Sequence, residues 1–404
     1  MMKRRALAFI LAAGFVVGSY ATDARVAVMG RQGTPWFYRD EVSVFNNPAD
    51  MSLYPNMMYG SFGFISPDDQ SESFRYLNIL PEDPHFGGML SYRFSDEENG
   101  PMISFGAFMN RRDYMVDKLL AAGGTLTNDP VVGTRPNLLD PVGKIDLMVG
   151  YDLGNGLAIG AGVYTAFQNE KLNDVVLNQT DFFKGSLGIN WNIEQGLDLE
   201  ASVNGGVTTA KYTPSGASEP VVISDGDYFV RGDVRFFSAV PAINGSFVPQ
   251  VSLEFLNLND TKVIDLNGGV GINMNIDRGF FWAGIQGVYT QTDASGLAAD
   301  QSIGARLSFG VERNIMWDWF LIRVGGQKEV RHVSVGDGTT SNWTENPSSN
   351  GFDNDLVGLG FGINIDNRLR IDFVASEDLP YTFTNLISGA QHHLFNRVSA
   401  TYRF

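Results

Sequence analysis

The stretch VSATYRF, residues 398–404, places Val398, Ala400, Tyr402 and Phe404 at every second position, with Ser399, Thr401 and Arg403 between them. A period of two marks a β-strand with one apolar face, because successive side chains point to opposite sides of the backbone. In a soluble sheet the final residues fray, so apolar groups running to Phe404 would sit on a poorly held segment. In a transmembrane barrel they belong to a closing strand, since lipid offers no hydrogen bonds to an open edge. The stretch alone allows an ordinary buried last strand or a closing one; the rest of the sequence favours the second.

The same alternation recurs along the chain. Val357, Leu359, Phe361, Ile363 and Ile365 form one face against Gly358, Gly360, Gly362 and Asn364. Leu187, Ile189, Trp191 and Ile193 do so against Ser186, Gly188, Asn190 and Asn192. Ile264, Leu266, Val270, Ile272, Met274 and Ile276 face away from Asp265, Asn267, Asn273 and Asn275. A helix would need spacing near 3.6, which these runs lack. Strands are expected at 57–65, 85–94, 101–111, 144–153, 156–168, 181–193, 197–210, 227–240, 246–258, 263–276, 279–291, 301–313, 319–330, 354–365, 369–377 and 393–404. Short connections near 154, 194–196, 276–279 and 366–368 alternate with mostly long ones at 66–84, 112–143, 169–180, 211–226, 331–353 and 378–392. The short link at 259–262 is the exception. Short periplasmic turns and longer outer loops belong to outer-membrane barrels, and the lack of a fixed residue repeat argues against a propeller or solenoid.

Composition agrees. Mean hydropathy is −0.07, as expected of a wall whose lipid and lumen faces average out. Glycine at 46 of 404 residues disfavours long helices. A net charge of −16 argues against nucleic acid as a partner. With no cysteine there is neither disulfide framework nor thiolate chemistry. Lys3, Arg4 and Arg5, an apolar run from Ala6 to Val17 and small residues up to Ala21 read as a secretory signal peptide over 1–21, cleaved near Ala21. Aromatics near strand ends, among them Phe236, Phe237, Phe280, Phe281, Trp282, Trp317, Trp319, Tyr402 and Phe404, are expected at the lipid–water boundary.

Between the signal peptide and the first strand lies a segment, 22–56, that is neither periodic strand nor evident helix. Ala24, Arg25, Met29 and Gly30, then Asp40, then Phe45, Asn46, Asn47, Pro48 and Ala49 resemble the N-terminal signature of FadL-type and PorV-type outer-membrane proteins. The resemblance covers about thirty residues specifically. It implies a barrel, fourteen-stranded in that family, with an N-terminal segment folded into the lumen. It also implies passage of hydrophobic molecules in the FadL manner, or export and surface attachment of proteins in the PorV manner. Arg31 and Asp50 stand where glycine is usual in the pattern. Physically, Pro48 fixes its own φ and biases Asn47 to an extended conformation, while Asn46 and Asn47 can bond nearby backbone. Trp36, Phe37, Tyr38, Phe45, Met51, Leu53 and Tyr54 are candidates for contact with a hydrophobic ligand, or for plain packing against the wall.

Opposite the apolar faces fall Arg231, Asp233, Arg235, Arg306, Glu312, Arg323, Glu329, Arg370, Asp372, Arg397 and Arg403, with Asp198, Glu200, Glu254 and Asp265. A charge facing lipid at the midplane costs ~2 to 4 kcal/mol, so these side chains are expected in the lumen, either as a paired network or as a selective constriction. The histidines His85, His332, His392 and His393 form no recognisable catalytic or metal-ligating pattern. Neither an enzyme nor a cofactor is expected.

The sequence therefore predicts an all-β transmembrane antiparallel barrel of about 14 to 16 strands over 57–404, with a plug- or hatch-like segment over 22–56 in or under the lumen. Passive uptake of hydrophobic or small solutes through a bacterial outer membrane is the expected function, a non-transporting scaffold the alternative. Expected partners are outer-membrane lipid, a hydrophobic small molecule, and the barrel-assembly machinery, because a strand ending in Phe404 resembles its recognition signal.

Overall fold

The computed structural model describes residues 23–29, 36–63, 84–97, 100–116, 141–172, 175–213, 219–258, 261–294, 299–334, 341–344, 356–366, 368–375 and 395–404. The expected signal peptide, Arg31, His392, His393 and most of the loops at 66–84, 112–143 and 378–392 lie outside the described residues. Strands follow in the order β1 (Met57–Gly63), β2 (His85–Arg93), β3 (Met102–Met109), β4 (Gly143–Asp152), β5 (Leu157–Leu172), β6 (Val175–Glu194), β7 (Leu197–Tyr212), β8 (Val221–Val240) and β9 (Gly245–Leu258). They continue with β10 (Thr261–Ile276), β11 (Gly279–Ala294), β12 (Asp300–Asn314), β13 (Phe320–Ser334), β14 (Ser341–Thr344), β15 (Leu356–Ile365), β16 (Leu369–Ala375) and β17 (Phe395–Arg403).

All pairings are antiparallel between neighbours, and β1 pairs with both β2 and β17, from Met57 opposite Arg403 to Gly63 opposite Arg397. The strand read first in the sequence is thus the one that closes the cylinder. Sixteen strands make the wall; β14 is a short flap on the outer part of β13, inside the connection expected at 331–353. At the short-turn rim each hairpin bonds the next: Asn192 N–H to Gly156 O, Ala239 N–H to Gly196 O, Asn275 N–H to Asn244 O, Asn314 N–H to Arg278 O and Phe404 N–H to Asn56 O.

The wall is uneven in height. Strands β1–β4 have 7 to 10 residues, close to the ~9–11 that cross a bilayer, whereas β5–β13 have 14 to 20. The long connections expected at 169–180 and 211–226 are accordingly overturned, because β5 runs to Leu172 and β6 resumes at Val175, while β7 runs to Tyr212 and β8 resumes at Val221. Gln168, Asn169 and Glu170 pair with Thr180, Gln179 and Asn178. A ladder of backbone hydrogen bonds continues as well in water as in lipid, so polar composition does not end a strand.

Outward positions carry the apolar band: Phe105 (58 %), Leu187 (64 %), Leu253 (51 %) and Leu307 (59 %) are exposed. A closed barrel with such a surface belongs in a membrane. Trp317, Trp319, Tyr402 and Phe404 are likewise exposed near the short-turn rim. Phe237, Phe280 and Trp282 depart from the expected belt, since their parity points them inward and they are buried there. Replacing the lipid-facing Leu187 by arginine should destabilise the barrel by ~2 to 4 kcal/mol in vesicles, read from the denaturant midpoint of refolding.

Candidate functional site

The lumen contains the chain's own N-terminal segment. Its elements are the helix α1 (Asp23–Met29) and two 3-10 helices, η1 (Glu41–Phe45) and η2 (Pro48–Leu53). Asp40 caps η1 by accepting the Val42 N–H at 3.3 Å. Asn47 caps η2 by accepting the Ala49 N–H at 3.2 Å, and Pro48 fills the first helical position, where no N–H is needed. Asp50 joins the two helices: it accepts the Ser43 hydroxyl at 2.5 Å, the Asn47 amide at 3.1 Å and, from the wall, the Asn190 amide at 3.4 Å. Asn46 contributes its backbone carbonyl, which accepts the Asn204 amide at 3.2 Å.

Glycines on the inner face make room for this backbone. Gly150 lies opposite Gly160, Gly160 opposite Gly188, and Gly188 opposite Ser202, in one row across four strands. A Cβ on Gly160 would stand 2.3 Å from Ala49 N, and one on Gly188 would stand 1.8 Å from Asn47 Oδ1. The Asn-Pro-Ala core therefore rests directly on main chain, an approach any larger residue would prevent. Across the barrel α1 is seated in the same way, with Val28 O 2.1 Å from a Cβ built on Gly325.

Charges hold the segment laterally. Arg25, fully buried, donates to Glu312 at 2.9 and 2.8 Å and to Asp40 at 3.0 Å. Glu312 also accepts from Arg323 at 3.0 Å and Arg370 at 3.2 Å, and both arginines reach Asp372, at 2.7 and 3.1 Å. A second set joins Arg39 and Arg235 to Glu200, each at 2.5 Å, with Arg235 3.6 Å from Asp50. Asp23 Oδ2 lies 2.8 Å from His85 Nε2, and Glu41 meets Arg403 at 3.0 Å. Elsewhere on the inner wall Arg306 pairs with Glu329 at 2.6 Å, and Arg231, whose guanidinium lies over the Trp36 ring, pairs with Asp233 at 2.9 Å.

Among the aromatic and apolar candidates, Phe37 and Tyr38 pack with Trp282, ring centroids 6.0 and 5.4 Å apart. Phe45, Met51 and Tyr54 belong to a different cluster around Phe108 and Met148. Leu53 is exposed. Trp36 borders a small cavity of about 30 Å³ with Asn46, Asn47 and Gln250. These seven residues do not converge on one pocket.

Two features escaped the sequence reading. Arg111, Asp113, Asp146 and Lys184 form a buried four-membered set, with Arg111 to Asp146 at 2.8 Å and Lys184 to Asp113 at 2.6 Å. Beside it, on the side away from the short turns, the inner wall turns apolar: Tyr164, Phe182, Phe229, Leu256 and Leu258 are buried with Met115 and Val116 of the turn after β3. Their inward parity was available from the alternation, but the approach of residues 113–116 was not.

No protein-family model matches the chain, and no curated protein matches it. Among solved structures, the Pseudomonas putida toluene transporter TodX is similar with 10 % identity and a TM-score of 0.39, over 94 % of this chain and 97 % of that one. A loop-deletion mutant of OmpT, an outer membrane protein of Vibrio cholerae, is similar with 10 % identity and a TM-score of 0.38, over 86 % and 97 %. BamA from Haemophilus ducreyi follows at 7 % identity and 0.37, over 86 % and 70 %. The closure of β1 on β17 and the apolar outer band make this fold, on its own geometry, a transmembrane β-barrel.

Burial pushes the Asp50 carboxyl up to about 7, with Glu200 adding to the effect and Arg235 and the Ser43 hydroxyl opposing it. A raised carboxyl binds its proton more tightly folded than unfolded, so its contribution to stability is full below its usual range near 3.8 and is lost as pH rises through about 7. The protection factor of the amides over residues 47–53, with the base-catalysed intrinsic rate divided out, should therefore fall between about pH 4 and 7, and less so in Asp50→Asn. Replacing Arg25 by methionine leaves the buried Asp40 without its guanidinium and takes from Glu312 one of its three arginine partners. That change should weaken docking of the segment by ~3 to 5 kcal/mol, seen as protease cleavage within 36–56 while the barrel still resists.

Proposed function

We propose that the protein is a passive outer-membrane transporter of small hydrophobic molecules, in which the N-terminal segment is a plug that must shift to open the lumen. The observation that carries this reading is the apolar patch at Tyr164, Phe182, Phe229, Leu256 and Leu258. It lies on inner faces, where a purely aqueous pore would present polar groups. A molecule entering from the long-connection side reaches this patch, ahead of the plug, once Met115 and Val116, which pack over it, are displaced. Movement is diffusive, because the sequence carries no nucleotide-binding motif to drive it. Aromatics of the segment, Trp36 foremost, then serve as contacts for cargo once the plug has shifted. Delivery to the membrane uses Phe404 and its strand as the signal for the barrel-assembly machinery, and Phe404→Ala should lower the amount of inserted protein.

Planar-bilayer conductance tests the transporter. The intact barrel should be silent or nearly so, and a variant lacking residues 22–55 should conduct. Intact protein in liposomes should in turn accelerate uptake of a labelled hydrophobic solute. If both forms are folded and silent and uptake is unchanged, the plug reading fails and a non-transporting scaffold for exported or surface proteins takes its place.

A further inference from the structure

The outer surface of the wall has a concavity of about 490 Å³ directly behind the seat of the Asn-Pro-Ala core. Its floor is the backbone of the row Gly150, Gly160, Gly188 and Ser202. One rim is the outward row Val149, Ala161, Leu187 and Val203, each opposite the next across the sheet. The other rim includes Ile159, Ile189 and Ala201. The hollow arises because Ala161 and Ala201 stand short among the larger side chains around them.

We propose that this groove binds one acyl chain of a phospholipid, running across β4–β7. The rims belong to the exposed apolar band: Leu187 is 64 %, Val203 55 % and Ile159 46 % exposed. Hydrocarbon is therefore what lies against the groove in a membrane, and filling a hollow lined by such groups recovers dispersion contacts that a flat wall cannot offer. Its depth in the bilayer selects the lipid. Gly150 precedes the end of β4 at Asp152 by two residues, and Gly188 precedes the end of β6 at Glu194 by six. At about 3.3 Å per residue the groove lies ~7 to 20 Å from the short-turn rim, in the periplasmic half, where the chains are those of phospholipids rather than of lipopolysaccharide. The wall here is one main chain thick, because the row has no inward side chains beyond that of Ser202. The acyl chain and the Pro48 main chain thus brace the same strands from opposite sides.

The test is native mass spectrometry of the full protein, extracted from membranes and then titrated in detergent with palmitoyl-oleoyl phosphatidylethanolamine. Wild type should retain one phospholipid, and Ala161→Phe with Ala201→Phe, which fills the groove, should retain none. Ala305→Phe, on the exposed outer face of β12, should behave as wild type. If the double variant does not fold, Ala161→Leu alone should lower the retained fraction several-fold. Equal retention by wild type and filled variants, loss in Ala305→Phe as well, a lipopolysaccharide mass in place of a phospholipid, or a protein dimer seated on this face would each overturn the proposal.

Discussion

Burying Arg25 sets the terms for everything inside the barrel. A guanidinium with five donors and no access to water has to be met by carboxylates, and it is met by Asp40 of its own segment and Glu312 of β12, 287 residues away. Glu312 is shared with Arg323 and Arg370, which share Asp372 in turn. The position of α1 is thereby tied to β12, β13 and β16 together. Such pairs add little net stability, since desolvation offsets attraction, but breaking one is costly. Their effect is to specify one seating of the segment among many that apolar packing would tolerate.

Glycine does the complementary work. The charges fix the segment sideways, and the rows without side chains fix how closely its backbone approaches. At Gly160, Gly188 and Gly325 that approach is backbone against backbone or nearly so. The same absence of side chains thins the wall, which is why the inner seat and the outer groove share a floor. Nearer the long connections, where Tyr164, Phe182 and Phe229 project inward, the interior is apolar instead. One barrel interior thus divides into a zone around the segment, where ion pairs lie between apolar clusters, and an apolar zone nearer the long connections.

Much of this was legible in the alternation of residues. Parity alone put Glu200 and Arg235, Glu312 and Arg323, and Arg306 and Glu329 on inner faces, and strand pairing sets each couple directly opposite. Trp282 and Phe280 are equally legible by parity: their place near a strand end suggests the belt, but the face on which they fall decides, and both are buried inside. Strand tops were not legible, since backbone pairing beyond the membrane needs no apolar signal, as at Gln168 and Asn169. The motif Asn46-Asn47-Pro48-Ala49 indicates an irregular path with side chains bonded to nearby backbone; that Asn47 with Pro48 caps a 3-10 helix is visible only in the structure.

By itself, then, the sequence determined an alternating wall, its inward charges and a non-strand segment ahead of it, because a two-residue period and the chemistry of caps are local. The tertiary structure decided which charge meets which, that the Asn-Pro-Ala core lies on Gly160 and Gly188, and that Phe45 and Phe37 fall in separate clusters. Those outcomes depend on the register and closure of sixteen strands, which bring residues hundreds of positions apart to within a bond length of contact, and no local pattern encodes that distance.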